Sequence, residues 1–292
     1  MEKSASCAVV VCSCDKYSDL WDPYFELFKK FWADCPYPVF LNTETKTYKT
    51  DGLKIRVVNA EKGKDDWSSR LIHAIKQTDA EFILLTLDDH FLLQPVDGAR
   101  FGELVEYMKK HPKIAQMSFL TDIYEKGRLL NGVWIKQKTS DVIRVKASTA
   151  LWRRDRLLAL LREGEDAWQF EGGASRRSMY DRHEYYSYEG KPDWPAPIID
   201  CAQHVYRGYG VFRGKWLWNN EEFFKENGIS VDFSVRGVLT EDEFTKLREE
   251  NIKKASEDWR EDQTFFANLY RHTPTFILKA ASRIKRIFIK RS

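Results

Sequence analysis

The stretch that decides the fold is Glu81-Phe-Ile-Leu-Leu-Thr-Leu-Asp88-Asp89-His90. An apolar, strand-like run leads straight into two carboxylates and an imidazole. A strand buried on both faces of a parallel sheet reads as a near-continuous apolar run, and Phe82–Leu87 fits that pattern. Ligands in open α/β sheets bind just outside the carboxyl ends of such strands. Oxygen and nitrogen donors presented there can hold a divalent cation, and a cation suits a phosphorylated ligand. The bland alternative is a pair of turn-capping aspartates.

Upstream, Ala8-Val-Val-Val-Cys12 reads as a first strand. Leu20, Tyr24, Leu27, Phe28 and Phe31 recur at helical spacing and predict a helix over 19–32. Pro38–Leu41 and Ile55–Val58 read as the next strands, and a helix opens at Asp66-Trp-Ser-Ser-Arg70. This order predicts a parallel or mixed sheet with helices on both faces. Downstream, Phe101–Lys110 reads as a helix ended by His111-Pro112. Strands are predicted over 114–119, 132–135 and 142–145, and Ser148–Trp152 leads into a helix over 153–161. A short helix after Glu165 should stop at Gly172-Gly173. A late strand over 198–205 would carry His204, and the Gly- and Arg-rich stretch 206–216 reads as a mobile loop. Residues 241–271 read as a charged helix outside the sheet. The expected division is a domain over 1–238 and a helical appendage over 239–292.

The chain has 292 residues, 43% hydrophobic and 14% aromatic, which excludes a disordered protein. Its net charge of +3 is unevenly spread. No acidic residue follows Asp262, and 271–292 alone carries seven Lys and Arg. Without those seven the remainder stands at −4, so the body lacks the basic surface that nucleic acid requires. In the tail, Phe276, Ile277, Ala280, Ile284, Ile287 and Phe288 form an apolar stripe among Lys and Arg. That is the pattern of a helix lying on an anionic membrane surface. The five cysteines are odd in number, and Cys12-x-Cys14 has no second Cys/His pair at zinc-finger spacing. No run approaches the roughly 20 apolar residues of a membrane span. The expectation is a cytoplasmic protein, peripheral on the inner face of the cytoplasmic membrane.

Several short motifs occur in a telling order: Val9-Val-Val-Cys-Ser13, Trp67-Ser-Ser-Arg70, Leu87-Asp-Asp-His90, Ala147-Ser-Thr-Ala-Leu-Trp152, Trp168-Gln-Phe-Glu171 and Gly214-Lys215-Trp216. In this order the chain resembles the bacterial GT-A-fold glycosyltransferases, most of all those that build capsule or lipopolysaccharide sugars. The resemblance implies a GT-A-like (Rossmann-like) α/β fold, with a mixed, mainly parallel sheet flanked by helices. It implies a nucleotide-sugar donor, most often a UDP-sugar, and a glycan or lipid-linked acceptor. It places Ser13 and Asp15 near the uracil and ribose, and Arg70, Asp88 and Asp89 against the donor. Arg207, Arg213 and Lys215 would close on its diphosphate. A divalent cation would sit on Asp88 and His90, with His204 completing the shell. The third motif position is His90 where the family has Asp. Imidazole suits manganese or zinc better than magnesium, and a metal-independent site with cationic side chains facing the diphosphate is the alternative. Glu171 is the expected base that deprotonates the acceptor hydroxyl in an inverting reaction, with Asp166 its rival. Both could instead cap a helix or pair with Arg176 and Arg177. Arg70 could equally pair with Asp66.

Two other classes compete. A sugar nucleotidyltransferase would carry a Gly-rich loop after the first strand, where this chain has Ser13-Cys-Asp-Lys-Tyr. A non-enzymatic glycan- or membrane-binding module would bind without releasing nucleoside diphosphate. A retaining transferase would differ in the anomer of its product.

Overall fold

A computed structural model describes residues 5–121, 128–130, 133–139, 141, 143–188 and 196–250. The chain divides into two compact units, 1–238 and 239–292. Among the described residues the first is built on a sheet of nine strands. They are β1 (Cys7–Cys12), β2 (Val39–Thr43), β3 (Ile55–Asn59), β4 (Phe82–Leu87), β5 (Ile114–Thr121), β6 (Arg128–Leu130), β7 (Trp134–Lys136), β8 (Ala150–Arg153) and β9 (Glu184–Tyr188). Their order across the sheet is β3-β2-β1-β4-β8-β5-β9-β7-β6. The first four are mutually parallel, β8 runs against both of its neighbours, and β5 and β9 are again parallel.

The helices are α1 (Trp21–Phe31), α2 (Trp67–Lys76), α3 (Gly98–Lys110), α4 (Arg154–Leu160), α5 (Ala167–Ser178) and α6 (Asn220–Glu226). Strand alternation divides the core between two faces. Cys7, Val9 and Val11 of β1 join the cluster that holds α1 and α3. Ala8, Val10 and Cys12 join the cluster that holds α2, α4 and α5. Helices therefore cover both faces, as the order of elements predicts. In the second unit residues 241–250 are helical, and Thr240 and Glu243 cap that helix reciprocally. The apolar, basic stripe over 276–291 lies outside the described residues. Among the described residues no helix is long and apolar enough to cross a membrane.

Four sequence expectations are corrected. First, the helix after Glu165 does not stop at Gly172-Gly173, because α5 runs through both glycines to Ser178. The Arg177–Glu165 fork, at 2.7 Å on each arm, crosses Gly173. A Cβ there would lie 2.7 Å from Glu165 Oε1, so the glycine makes room rather than ending the helix. Second, 198–205 is not a strand. It contributes one bridge, Leu92 to Asp200, and then curls into 3-10 turns over Cys201–Arg207 with a kink at His204. Asp200 Oδ1 accepts the Ala202 N–H at 3.0 Å, a local bond that turns the chain. Third, 206–216 contains a hairpin of β10 (Val211–Phe212) and β11 (Lys215–Leu217). Its two turn residues, Arg213 (φ 49°) and Gly214 (φ 79°), have the positive φ of a tight hairpin turn. Fourth, no strand forms over the described residues 143–145. Arg144 instead donates to Ser178 O and His183 O, and Val145 N–H donates to Ser175 Oγ. The strand β9 was not anticipated.

Candidate active site

The parallel half of the sheet has its switch point between β1 and β4, where neighbouring crossovers go to opposite faces. Such a point leaves a crevice at the carboxyl ends of the strands. Ser13 follows β1 there, and Asp88-Asp89-His90 follows β4. The two strand ends are tied together: Asp88 N–H donates to Cys12 O at 3.1 Å, and Ser13 Oγ donates to Asp88 Oδ2. Trp21 Nε1 donates to Ser13 Oγ at 2.6 Å. Burial, and then the charge of Asp89, push the Asp88 carboxyl well above the usual range, against the Ser13 bond and the Arg236 charge.

Asp89 is placed differently. Burial raises its carboxyl too, with His90 and Arg236 acting the other way. Its Oδ1 is buried with no hydrogen-bond partner among the described residues. His90 Nε2 lies 3.9 Å from that oxygen, while His90 Nδ1 lies 2.9 Å from Thr149 Oγ1. The hairpin packs against this turn. Cys201 Sγ donates to Asp89 O at 2.8 Å, and Gly210 (φ 97°) leaves room for that thiol, 2.9 Å from where a Cβ would stand.

Tyr17 and Arg236 are among the neighbours that the sequence did not reveal. The Arg236 guanidinium stacks 4.2 Å from the Tyr17 ring centroid and forks onto Asp19 at 2.6 and 2.7 Å. It also donates to Gly214 O at 3.3 Å, so it ties the hairpin tip to the turn after β1. Its charge acts on both Asp88 and Asp89, and Tyr17 feels the same two carboxylates. No local signal could reveal this, because Arg236 follows Asp19 by 217 residues.

Arg70 is only 6% exposed. It donates to Ser13 O at 3.0 Å and to Asp65 O, and lies 3.3 Å from Glu44. Asp66 does not pair with it but caps α2 through the Ser69 N–H. Both oxygens of Asp15 are engaged by Thr43, Thr45 and Lys46 at the end of β2. Burial opposes the ionised form, but these hydrogen bonds hold the Asp15 carboxyl well below the usual range. Arg207 and Lys215 are exposed, and Arg213 sits at the hairpin tip.

The two candidate bases part company. Asp166 is exposed and forms a full capping box with Gln169 at the start of α5. Glu171 lies one turn further on, half-buried, and its Oε1 accepts the Ala147 N–H at 2.8 Å. Burial raises its carboxyl above the usual range, against that bond and the charges of Lys146 and His90. Arg177 forks onto Glu165 rather than onto Glu171.

The expected cation shell of Asp88, His90 and His204 is not assembled. Among the described residues no three carboxylate, imidazole or thiol groups converge as a metal-holding cluster. Asp88 is turned to Ser13 and His90 to Thr149. His204 lies near Asp200 and Arg207, and burial, then the Arg207 charge, lower its pKa. Asp89 Oδ1 stays buried at the turn with no partner among the described residues.

No protein-family model matches this sequence, and no curated protein matches it. Solved structures do. Crystal structures of S. aureus TarS 1-349 are similar at 13% identity and a TM-score of 0.43, over 62% of this chain and 60% of that one. The complex of TarS 1-349 with UDP-GlcNAc gives 14% and 0.42, over 63% and 58%. The bifunctional IspDF from Campylobacter jejuni gives 13% and 0.34, over 57% and 47%. The chain thus spans about three fifths of the TarS 1-349 length that it matches.

Proposed function

We propose that this protein transfers a sugar from a nucleotide-sugar, a UDP-sugar, to a hydroxyl of a glycan or lipid-linked glycan, with inversion. One observation carries the reading. At the β1/β4 switch point a carboxylate oxygen, Asp89 Oδ1, is buried with no partner among the described residues, beside an imidazole. A group in that condition calls for a ligand that brings hydrogen-bond donors or positive charge. A donor sugar offers hydroxyls, and its diphosphate brings a cation or calls on the protein's own cations.

In this reading Asp88 shapes the donor site through Ser13 and Trp21, and Arg70 holds the end of β1 in place. Arg207, Arg213, Lys215 and Arg236 face the diphosphate, where charge-assisted contacts offset the charge that develops as it leaves. A cation here fits Asp89 and the donor's phosphates rather than a three-residue protein shell. When bound it supplies Lewis-acid stabilisation of the leaving diphosphate, and manganese is the ion proposed. Glu171 accepts the proton of the attacking hydroxyl through Oε2, while Oε1 stays on Ala147. Its raised pKa suits a base working near neutrality. Trp168 is 82% exposed three residues before Glu171, on the same side of α5. It offers a flat apolar face to an acceptor sugar. The basic stripe over 276–291 would hold the protein at an anionic membrane where a lipid-linked acceptor resides.

The test is hydrolysis of a panel of nucleotide-sugars, read as released nucleoside diphosphate, with and without manganese. Release from one donor, lost in Asp89→Ala, supports the reading. Release from no donor, with or without a glycan acceptor, and no thermal shift with any of them, overturns it.

A further inference from the structure

Beneath the candidate site runs a line of buried hydroxyls that ends on a carboxylate. The buried Tyr24 side chain lies beside Thr86 on the same pocket wall. Thr86 Oγ1 lies 3.1 Å from Thr149 Oγ1. Thr149 Oγ1 donates to Asp200 Oδ2. Asp200 is 1% exposed, and its other oxygen already accepts the Ala202 N–H. All four side chains line one small internal cavity beside α1. His90 joins the line from above, with Nδ1 2.9 Å from Thr149 Oγ1.

Counting protons along this line gives a result that no single bond shows. A hydroxyl has one hydrogen and two lone pairs. Thr149 gives its hydrogen to Asp200, so towards Thr86 and His90 it can only accept. Thr86 then donates to Thr149, and His90 donates through an Nδ1–H. In a neutral imidazole the lone pair is then left on Nε2. That nitrogen lies 3.9 Å from Asp89 Oδ1, the buried oxygen with no partner among the described residues.

We infer that, with the imidazole neutral, Thr149 and Asp200 lock His90 in its Nδ1–H tautomer, so that Nε2 and the Oδ1 of an ionised Asp89 stand side by side as two acceptors. Thr149 and Asp200 are positioning residues that act through His90. The pair admits a ligand that brings hydrogen or positive charge and repels one that brings a lone pair. The lock follows from the hydrogen bonds alone, while its weight in turnover rests on the glycosyl-transfer reading above.

The experiment is nitrogen NMR of the full chain labelled in its histidine rings, recorded well above the ordinary imidazole pKa of about 6.5. The chain has six histidines, and His90→Gln identifies the His90 signals by their loss. The expected pattern is a protonated Nδ1 and a bare Nε2. In Asp200→Asn the amide nitrogen takes the Oδ2 position and donates to Thr149. Thr149 then turns its hydrogen to His90, and the ring proton moves to Nε2. Thr149→Ser keeps the wild-type pattern. In donor hydrolysis Asp200→Asn lowers kcat at least about tenfold, with KM moving less. A wild-type ring protonated at Nε2, or an Asp200→Asn ring like wild type, overturns the lock. A flipped ring with unchanged kcat overturns the positioning role. Should Asp200→Asn not fold, Thr149→Val decides: a changed ring pattern supports the lock and an unchanged one overturns it. A wild-type protein that releases no nucleoside diphosphate sinks the transfer reading, while the ring signals still decide the lock.

Discussion

The two halves of the sheet are held by different forces. Along β1 and β4 both faces are filled by Val, Leu, Ile, Phe and Ala that are almost wholly buried. Along β5 and β9 equivalent depths hold Gln116, Ser118, Ser187 and Tyr185. Gln116 clasps Lys146 from both ends of its backbone, donating to its carbonyl at 2.7 Å and accepting its N–H at 3.2 Å. Ser175 and Glu171 take the N–H groups of Val145 and Ala147 on either side. The strip 144–147 is thus fastened by side chains where a strand would be fastened by a ladder. Packing is tolerant of detail, whereas a buried polar clasp fails when one member is removed. The first half gives a rigid strand end for Asp88 and Asp89. The second positions Glu171 through the same bonds that hold the fold.

The largest effect expected of this difference is on turnover. Glu171→Gln keeps an oxygen for the Ala147 N–H, so thermal unfolding should barely move, while transfer falls by about 10³-fold. Loss of fold together with rate would show that Glu171 is only a clasp. Because burial raises the Glu171 carboxyl, the acid limb of its pH–rate profile should lie above the ordinary value of 4.5.

Asp89→Asn should lower donor hydrolysis by about 10²-fold or more and yet raise Tm by about a few degrees at pH 7, because the buried charge is disfavoured. The sign follows from proton linkage. Asp88, Asp89 and Glu171 bind protons more tightly folded than unfolded. Their part of the stability is present at low pH and is lost as pH rises from the ordinary carboxylate range of about 4 through the raised values. Urea midpoints across that range should fall less in Asp89→Asn than in wild type.

Smaller effects compare the halves directly. Leu84→Ala removes packing from the buried parallel half and should cost about 2–5 kcal/mol in urea unfolding. Gln116→Ala removes a clasp and should cost about 1–3 kcal/mol, with a loss of rate that Leu84→Ala does not share once both are measured folded. Equal rate losses would break the distinction. Smallest of all, Asp166→Ala removes only a helix cap and should cost about 1 kcal/mol with turnover within about twofold.

The same contrast explains what could be read in advance. The strands and helices from β1 to β4 stand out because their neighbours in space repeat in sequence as apolar runs, and the acids after β4 stand out with them. By contrast β9, Glu184-Tyr-Tyr-Ser-Tyr, hides because its buried positions are tyrosines and a serine behind the charged run Arg176–His183. Gly172-Gly173 misled because glycine reads as a stop, and only the Glu165–Arg177 fork shows why it is needed inside a helix. At the candidate site, Asp88 and Asp89 stand out in the sequence as carboxylates just past an apolar strand, while Glu171 is picked out by the resemblance. Thr149, Asp200, Tyr17 and Arg236 do not stand out, since each acts through a partner remote in sequence.

The hairpin tip carries a last consequence. Arg213 sits in the left-handed region, which costs an L-residue about 1–2 kcal/mol. Asparagine followed by Gly214 would make the easier turn. A library selected for heat resistance alone should therefore drift to asparagine or glycine at 213, whereas one selected for turnover should keep the cation. The position trades robustness for charge, and the two selections would read out that exchange rate directly.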